Sequence, residues 1–274
     1  MTKRILCVLI VAATAIVSCS KQAGTNTHGQ PDSPYAVDEN GCASFKISDE
    51  AHIEVYFANS ANDKCVILYP GGGYTEHNIY CVSSVYNAFK DRGVTLIVDY
   101  YTLPKMGALR DQALADANKA IDLAWENREI WGGYMKVGLI GNSAGGHLAG
   151  YIGRTRHKDV DFQILLFPVV TMENGKTHAG SRNNWLGVNP PTELVDLYSN
   201  EKHVSPDTPP TYLSYSTGDG TVPQAYNGKA LGEALRSIHH PDFEEHVYND
   251  NSHGVTKWPD WPKALFAWLD KLGN

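Results

Sequence analysis

Gly141-Asn142-Ser143-Ala144-Gly145 is the stretch that decides how this chain reads. It spells G-x-S-x-G, a short pattern that occurs by chance, so its flanks carry the weight. Met135-Lys136-Val137-Gly138-Leu139-Ile140 before it has the composition of a buried strand, and Gly146-His147-Leu148-Ala149-Gly150-Tyr151-Ile152 after it has that of a helix start. A Ser on a strand-to-helix turn needs small neighbours, because the backbone folds back on itself and leaves the hydroxyl standing clear. Ser143 is therefore the candidate nucleophile. The alternative is a glycine-rich helix entry with Ser143 as a cap.

A serine hydroxyl needs a base, and the base needs an orienting acid. Working outward, Thr211 to Thr217 reads as a strand that runs into Gly218-Asp219-Gly220-Thr221-Val222-Pro223. Phe243 to Tyr248 reads as another strand, followed by a polar loop, Asn249 to Gly254, that contains His253. Asp219 and His253 each fall just past a strand, at the edge where parallel sheets place their sites. Asp207 comes too early, before Pro209-Pro210, and Asp250 competes as a turn residue in the loop of His253. His246 lies inside a strand, and His239 and His240 close a helix, where a cation suits the dipole.

Upstream, the apolar strand Lys64 to Tyr69 ends in Pro70-Gly71-Gly72-Gly73-Tyr74. Consecutive glycines let a backbone approach a ligand and aim N–H groups at it. Gly72, Gly73 and Ala144 are the candidate backbone donors for a developing oxyanion.

With 274 residues, 42% hydrophobic and 19% charged, the chain suits one large α/β domain. A net charge of −7 gives no reason to expect nucleic acid as a partner. Lys3-Arg4 followed by the uncharged apolar run Ile5 to Val17 predicts a secretory signal over 1–18, and Ile16-Val17-Ser18-Cys19 resembles a bacterial lipobox. The expected location is the cell envelope, with a lipid anchor at Cys19, a polar tether over 19–40 and a catalytic domain over 41–274. Cys42, Cys65 and Cys81 then remain, so at most one disulfide can form, and Cys42 with Cys81 is one option. No Cys or His spacing suggests a metal, and no cofactor is expected.

Ile53 to Phe57 reads as an early edge strand, Val82 to Arg92 as a helix and Val94 to Tyr100 as a strand. Leu109 to Trp131 reads as the longest helix, with Ala113, Ala117, Ala120, Ile121 and Ala124 on one face. Phe162 to Phe167 is the next strand. Thr171 to Pro209 interrupts the alternation, with one helical patch near Glu193 to Asn200. Helices follow at Ala225 to Ile238 and Lys263 to Leu272. Alternation of this kind predicts a mainly parallel sheet covered on both faces.

From Lys64 to Leu272 the sequence resembles the α/β-hydrolase superfamily, and more narrowly the bacterial branch of acetyl xylan esterases and feruloyl-esterase-like enzymes. The resemblance rests on Tyr69 to Tyr74, Gly141 to Ala149, Phe167 to Met172, Thr177-His178-Ala179-Gly180-Ser181-Arg182 with Leu186-Gly187, Pro209-Pro210-Thr211 and Asp219 to Pro223. It implies hydrolysis of small acyl esters, often acetyl groups on glycans, without a cofactor. This chain departs in carrying Asn142 before the Ser, a shortened Thr75 to Tyr80 segment and Tyr100-Tyr101 where relatives have Tyr-Arg. Trp185 and Trp258 are expected to offer aromatic faces to a sugar, with Tyr74 and Asn142 as further substrate contacts. His147 is expected to support its helix. Two rivals are a serine peptidase of the prolyl-oligopeptidase type, which carries an added propeller that this sequence lacks, and a catalytically inactive glycan-binding lipoprotein on the same scaffold.

Overall fold

The computed structural model describes residues 36–38, 41–58, 63–258 and 260–272. The signal, Cys19 and most of the tether lie outside them. Eight strands form one sheet: β1 Cys42–Lys46, β2 His52–Tyr56, β3 Lys64–Tyr69, β4 Thr95–Tyr100, β5 Lys136–Asn142, β6 Phe162–Leu166, β7 Thr211–Ser216 and β8 Phe243–Tyr248. Their order is β1-β2-β4-β3-β5-β6-β7-β8. The β1–β2 and β2–β4 pairs are antiparallel, and all others are parallel.

The helices are α1 Ile79–Phe89, α2 Arg110–Asn127, α3 Ala144–Thr155, α4 Ala179–Leu186, α5 Thr192–Leu197, α6 Gly228–Ser237 and α7 Trp261–Lys271. Alternate residues of β3 show how they divide. Cys65, Ile67 and Tyr69 join a cluster with Ala113, Ala117, Ala120, Ile121 and Ala124 of α2, Leu148 and Ile152 of α3, and Leu231 and Leu235 of α6. Val66 and Leu68 face the other way, toward Val82, Val85 and Phe89 of α1 and Leu265, Phe266 and Leu269 of α7. The period-two pleat thus feeds two separate cores, one per face. This is the α/β architecture expected from the alternation.

Three elements differ from expectation. β2 is interior, because β1 pairs outside it. Cys42-Ala-Ser-Phe-Lys46 is short and only half apolar, so nothing local announces a strand. The long helix stops at Asn127, well short of Trp131; the chain turns at Gly132 and Gly133, both at positive φ. The polar insert holds α4 as well as the α5 patch. Cys42, Cys65 and Cys81 are all free thiols.

The pairing of β3 with β5 sets Tyr69 opposite Gly141. The loops after β3 and β5 therefore leave the sheet side by side, and those after β7 and β8 leave from the same edge.

Candidate active site

Ser143 sits at φ 53°, ψ −121°, a conformation costly for any residue with a Cβ. It persists because its surroundings hold it from both sides. Ser143 N donates to Leu166 O at 3.1 Å, and Ser143 O accepts from Val169 N at 2.9 Å. A Cβ on Gly145 would lie 1.9 Å from Tyr69 O, so only glycine permits this contact between the turn and β3.

Ser143, His253 and Asp219 form one hydrogen-bonded chain. His253 Nε2 lies 2.8 Å from Ser143 Oγ, and His253 Nδ1 lies 2.6 Å from Asp219 Oδ2. The other carboxylate oxygen, Asp219 Oδ1, accepts from Thr221 N at 2.8 Å and Val222 N at 2.9 Å. Those two fixed donors orient the carboxylate, so Oδ2 faces the imidazole. Asp219 accepts only, which makes Nδ1 the protonated nitrogen of a neutral His253 and leaves Nε2 free to accept from Ser143.

Asp250 has a different task. Its Oδ1 accepts from Ser252 N at 2.7 Å, and its Oδ2 accepts from Trp258 Nε1 at 3.1 Å. It shapes the loop that carries His253 and makes no bond to the imidazole. Phe167, at φ 37°, packs edge-on against the His253 ring at 4.8 Å.

The glycine loop wraps around the nucleophile turn. Gly71 N donates to Asn142 Oδ1 at 3.3 Å. Gly72 has φ 129°, and a Cβ there would lie 2.1 Å from Glu76 O. Among the described residues, the N–H groups of Gly72, Gly73 and Ala144 meet no protein acceptor. Gly72 and Gly73 line a pocket of about 290 Å³ whose walls also include Asn142, Ser143, Phe167, His178 and His253, and Ala144 follows Ser143 directly in the chain.

The expected aromatic contacts are placed elsewhere. Trp185 and Trp258 are 0% exposed and Tyr74 is 1% exposed, and none of them lines the pocket. Tyr74 and Trp185 stack on each other at 4.7 Å, while Trp258 lies flat on Tyr248 at 4.2 Å. A large ring on an insert gains more by entering the core than by waiting on the rim, about 25 cal/mol per Å² of apolar surface. The aromatics at the pocket wall are Phe167 and Tyr80, the latter 76% exposed at the start of α1. Asn142 lines the pocket, but it is buried, and its carbonyl is already spent on Gly71.

His147 is fully buried and ties its helix to two distant segments. Its Nε2 donates to Tyr198 O at 2.8 Å, which leaves Nδ1 to accept from Tyr74 Oη at 2.7 Å. Burial lowers its pKa to about 4, so it stays neutral. Among the residues that sequence reasoning left without a role in the site, Tyr80, Cys81, Phe167 and His178 are on the pocket wall. His178 stands in a quoted motif, yet nothing local says where the insert folds.

Comparison with known proteins places the fold and the family. The BD-FAE family profile matches residues 53–235. An acetylxylan esterase of Xylanibacter ruminicola is 27% identical over 243 residues, 84% of this chain and 49% of that protein. Endo-1,4-beta-xylanase B of Butyrivibrio fibrisolvens is 30% identical over 209 residues, 70% of this chain and 32% of that protein. The chain thus spans about half the length of the first and a third of the second. Among solved structures, an acetyl ester-xyloside bifunctional hydrolase from Caldicellulosiruptor lactoaceticus superimposes with a TM-score of 0.72 at 28% identity, over 81% of this chain and 88% of that one. The chain belongs to the BD-FAE family, on the esterase branch of the α/β-hydrolases.

Proposed function

We propose that this chain is a serine carboxylic ester hydrolase that removes short acyl groups, chiefly acetyl, from carbohydrate. The observation that carries the reading is the hydrogen-bonded chain from Ser143 through His253 to Asp219, beside three unpaired backbone N–H groups. His253 Nε2 takes the Ser143 proton as Oγ attacks the acyl carbon. The negative charge that builds on the carbonyl oxygen meets the N–H groups of Gly72, Gly73 and Ala144. The imidazolium, steadied by Asp219, hands its proton to the departing alcohol. Water then attacks the acyl-enzyme with His253 as base, and Ser143 is restored.

The carbohydrate side of the reading draws support from the acetylxylan esterase and acetyl ester-xyloside hydrolase relatives. The test is Ser143→Ala in the full chain, assayed on acetylated xylan and on nitrophenyl acetate. Turnover should fall on the order of 10³-fold or more while the protein melts cooperatively. Retained turnover in a folded variant would reject the reading. On location, the proposal is export and lipid anchoring through Cys19. Cys19→Ser should move the protein from the membrane fraction to the soluble one, and an unchanged fraction would overturn it.

A further inference from the structure

His178 lies on the wall of the pocket and stands at the N-terminus of α4. Its Nδ1 accepts from the backbone N–H of Ser181 at 3.2 Å, with Ser181 Oγ at 2.9 Å. A backbone N–H can only donate, so Nδ1 must keep its lone pair. The proton of the neutral ring is therefore on Nε2. That N–H has no protein partner among the described residues.

The ring is also held in place against the glycine loop. A Cβ on Gly73 would lie 3.6 Å from His178 Cε1, which sets the ring edge beside that glycine. From the same helix, Asn184 Nδ2 donates to Gly73 O at 2.9 Å. Thus α4 is tied to the glycine loop, and His178 lines the same pocket as Ser143. Burial, and then the charge of His253 when protonated, hold the His178 pKa below the ordinary histidine range.

We propose that His178 is a specificity-determining residue whose Nε2–H donates to an oxygen of the alcohol part of the substrate. The proposal rests on the short-acyl carbohydrate ester reading. An acetyl group has one carbonyl oxygen, and the backbone donors of Gly72, Gly73 and Ala144 receive it. Every further acceptor oxygen in an acetylated sugar belongs to the alcohol side. Once the alcohol part displaces water from the pocket, an N–H at the wall finds its acceptor there, and a site built to hydrogen-bond a substrate oxygen discriminates against an ester that lacks one.

The experiment compares His178→Asn and His178→Ser with the wild-type full chain on an acetylated xylo-oligosaccharide and on nitrophenyl acetate. Asn and Ser are good helix N-caps, so either keeps the Ser181 N–H satisfied while removing the ring N–H. The kcat/KM ratio of sugar acetate to aryl acetate should fall about fivefold to tenfold, through KM and kcat on the sugar ester alone. An equal loss on both esters, or no loss on either, overturns the role of His178 and leaves the esterase reading standing. Wild-type turnover of nitrophenyl acetate without turnover of the sugar acetate overturns the carbohydrate reading and this one with it.

Discussion

The Tyr74 hydroxyl donates to His147 Nδ1 at 2.7 Å, and both side chains are fully enclosed. The bond links the residue after the glycine loop to the helix that begins behind Ser143. The glycine loop and the Ser143 turn are thereby held in one register from beneath the site.

Tyr74→Phe should expose what that bond does. It leaves a buried imidazole nitrogen without a donor, at about 1–3 kcal/mol of stability. It also frees the loop that carries Gly72 and Gly73, so kcat on a short ester should drop about tenfold, since small misplacements of catalytic groups are expensive. Urea unfolding and steady-state kinetics check the two parts. Normal kcat in a destabilised variant would make the bond a matter of stability alone.

The two acids near His253 should separate sharply. Asp219→Asn should lower kcat by about 10³- to 10⁴-fold, because the imidazole loses the partner that sets its tautomer. Adding His253→Ala should change little further, as such groups act as a unit. Asp250→Asn touches only Ser252 and Trp258. It should cost less than about tenfold in kcat, with a modest loss of stability. Kinetics on the three single variants and the double decide the matter, and the reverse ranking would make Asp250 the acid.

Acyl length should matter steeply. The pocket is about 290 Å³, and its walls combine apolar surface with glycine backbone, Asn78, Ser84, Thr221 and Thr256. In the insert, Trp185 and Leu186 are buried and Leu194 and Val195 pack against the core, which leaves Val188 and Leu197 as its exposed large apolar side chains, too few for a lid that covers a chain. Each added CH₂ gains about 0.8 kcal/mol only where apolar surface covers it. The kcat/KM of nitrophenyl esters should fall from acetyl to octanoyl. A maximum at eight carbons would favour a lipase-like site.

Asp99 gives a stability prediction with a definite sign. It is fully buried in β4, neither carboxylate oxygen has a hydrogen-bond partner among the described residues, and burial, then Asp116, raise its pKa well above the usual carboxyl range. The unfolded chain then releases this proton at lower pH than the native one does. Stability must fall as pH rises above the unfolded value of about 4, toward the raised native one. Asp99→Asn removes that penalty. Its Tm at pH 8 should exceed the wild type by about 3 °C or more, and the gap should close near pH 4. A gap independent of pH would show that Asp99 does not titrate on unfolding.

Much of the fold is legible in the sequence because its signals are local. The apolar runs of β3 to β7 and the alanine face of α2 state their own period, and hydrogen bonding within a strand or helix follows that period. Ser143, Asp219 and His253 are legible for a related reason: each follows a strand, and parallel strands deliver their next residues to one edge. What only the tertiary structure decided lies where local signals are silent or misleading. β1 exists because β2 offers it an edge. Trp185 and Trp258 leave the rim because the core can enclose them, and no pattern of neighbours records that vacancy. His178 reaches the pocket because α4, poor in any helical signal, is drawn onto the glycine loop by Asn184 and by the burial of Trp185. Periodicity tells a segment what to form. Where a side chain ends up depends on which surface, far away in sequence, is free to bury it or to accept its hydrogen bond.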